Sequence, residues 1–261
     1  MSNNAMLKNL VVEFLGAFAL CFMGIGAIIL TQNSNIVAIA LAHGLAFGLM
    51  VLAAGHISGG HFNPAITTAM LVTRRIDPRT AALYIVAQLA GATAAAGVLT
   101  ATYRDVERNA VNLGLPAVGK NLSSGNALVM EIVLTFFLVF VVFGTAVDNR
   151  TPKIISGLAI GLTITMGILA GGAVSGAAMN PSRWFGPAIV QGDFTDFWIW
   201  IVGPVVGGVL AGVLYNDILL GGTTPTAAPR QSAPAPVAAA TSDEASVSAE
   251  RSRRSQRRNQ R

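Results

Sequence analysis

Apolar residues in this chain come in long, nearly charge-free runs. Six of them, near 9–30, 36–55, 80–100, 127–147, 153–171 and 195–215, are close to the about 20 residues that cross a hydrocarbon core of roughly 30 Å. The pattern predicts an all-α membrane protein with six transmembrane helices. The first run follows Lys8 as a secretory leader would, but it is long, holds Glu13 and precedes five more runs, so it reads as a retained helix. Two further apolar segments, about 64–73 and 181–190, are too short to span: a helix of about ten residues rises only roughly 15 Å. Each follows an Asn-Pro pair, and Asn is a favoured N-cap while Pro suits the first helical position. Asn63-Pro64 and Asn180-Pro181 therefore mark the starts of two half-helices.

The polar positions between the runs repeat. At an offset near 117 residues, Ser58-Gly59-Gly60-His61-Phe62-Asn63-Pro64-Ala65 falls on Ser175-Gly176-Ala177-Ala178-Met179-Asn180-Pro181-Ser182, and at 118 Glu13 falls on Glu131. The repeats occupy about 8–100 and 127–216 and carry three spans each. Three is odd, so the second repeat enters the membrane from the opposite side, giving an inverted 3+3 repeat whose functional region lies near the midplane. Entering from opposite faces, the half-helices meet in the middle. Small residues four apart, Gly203 and Gly207, Gly208 and Gly212, Gly91 and Ala95, permit close helix crossings.

Composition agrees with a membrane protein: 53% of residues are hydrophobic and 11% charged. The net charge of +5 describes a tail, since six arginines fall in residues 251–261, and it gives no reason to expect a nucleic-acid partner. Residues 1–222 read as the membrane domain and 223–261, rich in Ala, Pro and Ser before the arginines, as a disordered basic tail. Lys8, Arg74, Arg75, Arg79, Arg150 and Lys153 fall on one side, which positive-inside makes cytoplasmic together with both termini. The only cysteine is Cys21, and His56 and His61, five apart without an accompanying Cys or carboxylate, make a poor metal site. No metal and no cofactor is expected, and nothing points to an enzyme.

The paired boxes resemble those of the aquaporin, or major intrinsic protein, family, whose mark is two Asn-Pro-Ala motifs on re-entrant half-helices. Here Asn63, Pro64 and Ala65 match in full, while Asn180, Pro181 and Ser182 depart at Ser182, where the family usually has alanine. The resemblance covers about residues 8–216. It implies a homotetramer of water-conducting pores in the plasma membrane, Glu13 and Glu131 as braces for the re-entrant loops, and His43, Ile168, Ala177 and Arg183 as the selectivity filter. His61 is expected to hydrogen-bond within its loop, with one of the glutamates as a candidate partner. The filter set resembles that of plant vacuolar-membrane (tonoplast) aquaporins, which pass water with small solutes, so water, ammonia, urea and glycerol are the expected passengers. A strict water channel is the alternative. Facing helix N-termini, each carrying roughly half a positive charge, and Arg183 would exclude protons and cations. Inverted repeats with intramembrane carboxylates also occur in ion-coupled transporters, and a structural membrane protein with a closed pore is the third reading.

Overall fold

The computed structural model describes residues 3–221; the tail expected at 223–261 lies outside the described residues. The helices are α1 (Asn3–Thr31), α2 (Ile36–Ser58), α3 (Pro64–Val72), α4 (Pro78–Thr102), α5 (Asp105–Asn109), α6 (Ser124–Val142), α7 (Ser156–Ser175), α8 (Pro181–Gln191) and α9 (Ile199–Val213). Among the described residues, six helices are long and apolar enough to cross a membrane, α6 and α9 being prolonged by wider π turns through Val147 and Leu219. The short α3 and α8 are the two half-helices. Asn35, Asp77 and Ser123 begin α2, α4 and α6 by accepting from the backbone N–H groups of Ala38, Thr80 and Asn126, which lack helical partners.

Span ends differ from the sequence reading by up to six residues, and two of the starts have a local cause. The first span starts at Asn3 rather than near residue 9, since nothing in residues 3–8 breaks a helix. The sixth starts at Ile199 rather than near 195, because residues 193–198 are spent on turns, with Asp196 left-handed at φ 52° and Asp193 Oδ1 accepting from Thr195 N.

Packing follows the repeat. α1 lies against α2 and α4, and α6 lies in the same way against α7 and α9. Matching glycines make both contacts close: a Cβ on Gly91 would stand 2.2 Å from Phe14 O, and one on Gly207 2.1 Å from Ile132 O. Ordinary nonbonded carbon contacts begin near 3.5 Å, so any side chain at these positions would part the helices. α2 and α7 join the repeats across a quartet the sequence reading did not single out. Gly44 and Gly48 face Gly161 and Gly157 so closely that a Cβ on any of the four would stand 2.4–2.5 Å from the carbonyl oxygen opposite. The half-helices are exchanged, α3 lying on α9 and α8 on α4. The outer surface exposes Leu15, Leu45, Leu49, Val86, Phe137 and Leu162, an apolar exterior suited to lipid.

The α6–α7 connection is tied by Asp148, whose carboxylate accepts from Arg150 Nε (2.9 Å) and Nη2 (2.6 Å) and from Tyr215 Oη (3.1 Å). These hydrogen bonds, those of Arg150 above all, hold the Asp148 carboxyl well below the usual carboxylate range.

Candidate functional site

The two loops that precede the half-helices carry backbone amides without helical partners at a depth where water cannot supply them. Two carboxylates do. Glu13 Oε1 accepts from Ser58 Oγ (2.6 Å) and His61 N (3.0 Å), and its Oε2 from Phe62 N (2.7 Å) and Gln88 Nε2 (2.8 Å). Glu131 repeats the design, with Ser175 Oγ (2.7 Å) and Ala178 N (2.8 Å) on Oε1 and Met179 N (2.7 Å) on Oε2. Both side chains are fully buried. The His61 ring does not reach a glutamate: its backbone amide takes that place, while Nδ1 lies 3.1 Å from Thr67 Oγ1. Gln88 was not singled out in the sequence, and the repeat explains why. Three residues before Gly91 stands Gln88, but three before Gly207 stands Pro204, so the fourth donor exists in one half only.

Loop backbones wind through left-handed conformations at Gly59, Gly60 and Phe62 and again at Gly176, Ala177 and Met179. Ala177 at φ 46° is the place where the second loop lacks the glycine of the first, and a left-handed non-glycine residue costs about 1–2 kcal/mol. The winding brings the two asparagines together. Asn63 Nδ2 donates to Met179 O (2.8 Å) and Asn180 Nδ2 to Phe62 O (3.0 Å), each reaching into the other repeat. Their Oδ1 atoms accept from Ala65 N (2.8 Å) and Ser182 N (2.9 Å) and so cap α3 and α8. The hydroxyl of Ser182 adds a bond of 2.8 Å to the same Asn180 oxygen, with the side chain fully buried. Pro64 and Pro181 open the half-helices without wasting an N–H. An Asn amide has two hydrogens on nitrogen, and one on each asparagine is used by these contacts.

Asn63 and Asn180 line a small inner cavity of about 10 Å³, with Phe47, Leu138, Ile164 and Ala177 supplying apolar walls. That volume is near the minimum for one water. Beyond it lies an outer cavity of about 260 Å³. His43, Ile168 and Arg183 line both and so stand at the neck between them, whereas Ala177 borders the inner cavity alone. Arg183 is buried and donates through Nη1 to Gly114 O (2.8 Å). Gly114 is a second residue missed in the sequence. It belongs to the long connection between α4 and α6, where Leu113 and Gly114 take left-handed conformations and Pro116–Gly119 run along the outer cavity. Gly119 N is tied to Val174 O at 2.9 Å. Only the fold shows that this connection dips to the neck. The His43 ring places Nδ1 at 2.8 Å from Ile39 O, and among the described residues nothing is hydrogen-bonded to its buried Nε2.

Comparison with known proteins gives a consistent picture. Residues 1–215 match the family model described as major intrinsic protein. Aquaporin-5 of Homo sapiens is 43% identical over 220 residues, 82% of this chain and 82% of that protein. Aquaporin NIP1-1 of Zea mays is 40% identical over 216 residues, 81% of this chain and 75% of that protein. An X-ray structure of the aquaglyceroporin from Plasmodium falciparum superposes with a TM-score of 0.76 at 26% identity, over 83% of this chain and 98% of that one.

Proposed function

Since the chain belongs to the major intrinsic protein family of membrane channels, we propose that it passes water and small uncharged solutes, among them ammonia, urea or glycerol, and excludes protons and ions. The observation that carries this reading is the order of groups along the cavities. Arg183 stands at a neck walled by Ile168, and beneath it Asn63 and Asn180 cap two half-helices that start at the same level. A molecule passing the neck meets a fixed positive charge and a hydrogen-bond donor. It then meets the spare amide hydrogens of two asparagines at the positive ends of two helices, each worth roughly half a charge. A water that accepts from both amides turns its oxygen to them and its hydrogens away, which breaks a hydrogen-bonded proton wire, while cations are repelled electrostatically. Glu13 and Glu131 are taken up by loop donors, which supports bracing rather than ion coupling.

Passage of solutes larger than water rests on Ala177, whose methyl leaves space beside the neck, and on the resemblance of the His43, Ile168, Ala177, Arg183 set to vacuolar-membrane aquaporins. The reading includes a homotetramer in the plasma membrane; the basic residues gathered at the connections after α3 and α6 support cytoplasmic termini. Stopped-flow light scattering on proteoliposomes under water, ammonia, urea and glycerol gradients tests it. Wild type is expected to conduct water and at least one of the three solutes above lipid background, and Ala177→Phe to narrow that range. Water flux with no solute flux leaves a strict water channel; no flux at all overturns the reading.

A further inference from the structure

We infer that Gly24 sets the width of the neck: lacking a Cβ, it lets the His43 imidazole lie back against α1 instead of standing in the lumen. The inference rests on the proposed role of His43 as a wall of the neck. One face of α1 follows the cavities, with Leu20 lining the inner one and Ile28 the outer one. Gly24 lies midway, one turn from each, where this face would otherwise present a side chain at the level of the neck. The imidazole occupies that space. A Cβ on Gly24 would stand 2.2 Å from His43 Nε2, 2.3 Å from Cδ2 and 2.4 Å from Cε1, so the outer edge of the ring points at the glycine. Nonbonded contact begins near 3.5 Å, so a methyl at position 24 displaces the ring by roughly 1 Å. The ring's other edge is held by Nδ1 to Ile39 O on its own helix, and the open space beside it is the cavity. The displacement therefore runs into the neck, where the adjoining cavity is only about 10 Å³.

The test is the ratio of urea or glycerol permeability to water permeability in proteoliposomes containing wild type, Gly24→Ala, His43→Ala and the double variant, each normalised to inserted protein. Gly24→Ala is expected to lower the ratio by about tenfold or more, the size of effect that one methyl group has in discriminating similar substrates. His43→Ala should raise it, and the double variant should match His43→Ala. The rescue separates this role from a packing role of Gly24, which removal of the imidazole would not repair. An unchanged ratio in Gly24→Ala, or an equal fall in the His43→Ala background, overturns the inference. If His43→Ala itself changes no flux, the neck reading of His43 fails instead. Should wild type conduct water alone, the same comparison is read in water permeability and its activation energy. Should Gly24→Ala fail to insert, His43→Ala and the double variant decide: equal ratios with normal insertion support the inference, and a lower ratio in the double variant overturns it.

Discussion

Replacing Glu13 by Gln changes one atom yet should undo the first re-entrant loop. The carboxylate accepts four hydrogen bonds, two on each oxygen, from Ser58 Oγ, His61 N, Phe62 N and Gln88 Nε2. A glutamine keeps one oxygen and presents an NH2 group to two of these donors. In one orientation Ser58 can turn its hydroxyl and accept; in the other Gln88 can flip to present its Oε1, which accepts no hydrogen bond among the described residues. Either way one backbone amide, of His61 or Phe62, is left without an acceptor in the membrane, at about 1–3 kcal/mol. The three surviving bonds fall from the charge-assisted to the neutral class, about 1 kcal/mol each. The total of about 4–6 kcal/mol is a large share of a typical 5–15 kcal/mol of folding stability. Thermal unfolding in detergent should fall by roughly 10–20 °C, with water flux per inserted channel reduced because Phe62 O no longer holds Asn180 in place. Gln88→Leu, which removes one donor and keeps the charge, should cost less than half as much. Wild-type melting and flux in Glu13→Gln would refute the bracing argument. Unchanged melting with loss of a proton-coupled flux would revive the transporter class.

Asn63→Asp or Asn180→Asp should abolish water flux measured by stopped flow, since a carboxylate cannot donate to Met179 O or Phe62 O across the repeat interface. Ser182→Ala should retain full flux and lose only about 0.5–1.5 kcal/mol of stability, the value of its single bond to Asn180 Oδ1; a dead but folded variant would give that hydroxyl a role in permeation. Asp148 has its carboxyl lowered by Arg150, so its contribution to stability is present above the ordinary range near pH 3.9 and is lost as pH falls through the lowered value. Melting temperatures of wild type and Asp148→Asn should therefore differ by a constant amount from pH 7.5 to about pH 5 and converge only in strong acid. A difference that vanishes near pH 6 would contradict the assignment. Voltage clamp of expressing cells should detect no current that tracks expression, because helix ends and Arg183 present the same sign of charge.

Much of this protein is legible in its sequence because lipid is an undemanding solvent to read. A span must be long, apolar and hydrogen-bonded to itself, so run length alone places six helices to within about six residues at either end. The duplication then supplies the third dimension at coarse scale, since an odd number of spans per repeat forces inversion and brings Asn63 and Asn180 to one level. What the sequence does not contain is which backbone atom a side chain will meet. Gln88 joins Glu13 without a counterpart in the second repeat, and Gly114 is carried to Arg183 by a connection that reads as featureless. Gly24 matters only because an imidazole from another helix lies over it. The α2–α7 glycine quartet likewise looks no different in sequence from the other small-residue pairs. These are contacts between residues far apart in the chain, set by the crossing of helices and the path of irregular backbone, and a linear pattern carries no record of either. Periodicity and hydropathy record how each segment meets its solvent; the tertiary structure alone decides which segments meet each other.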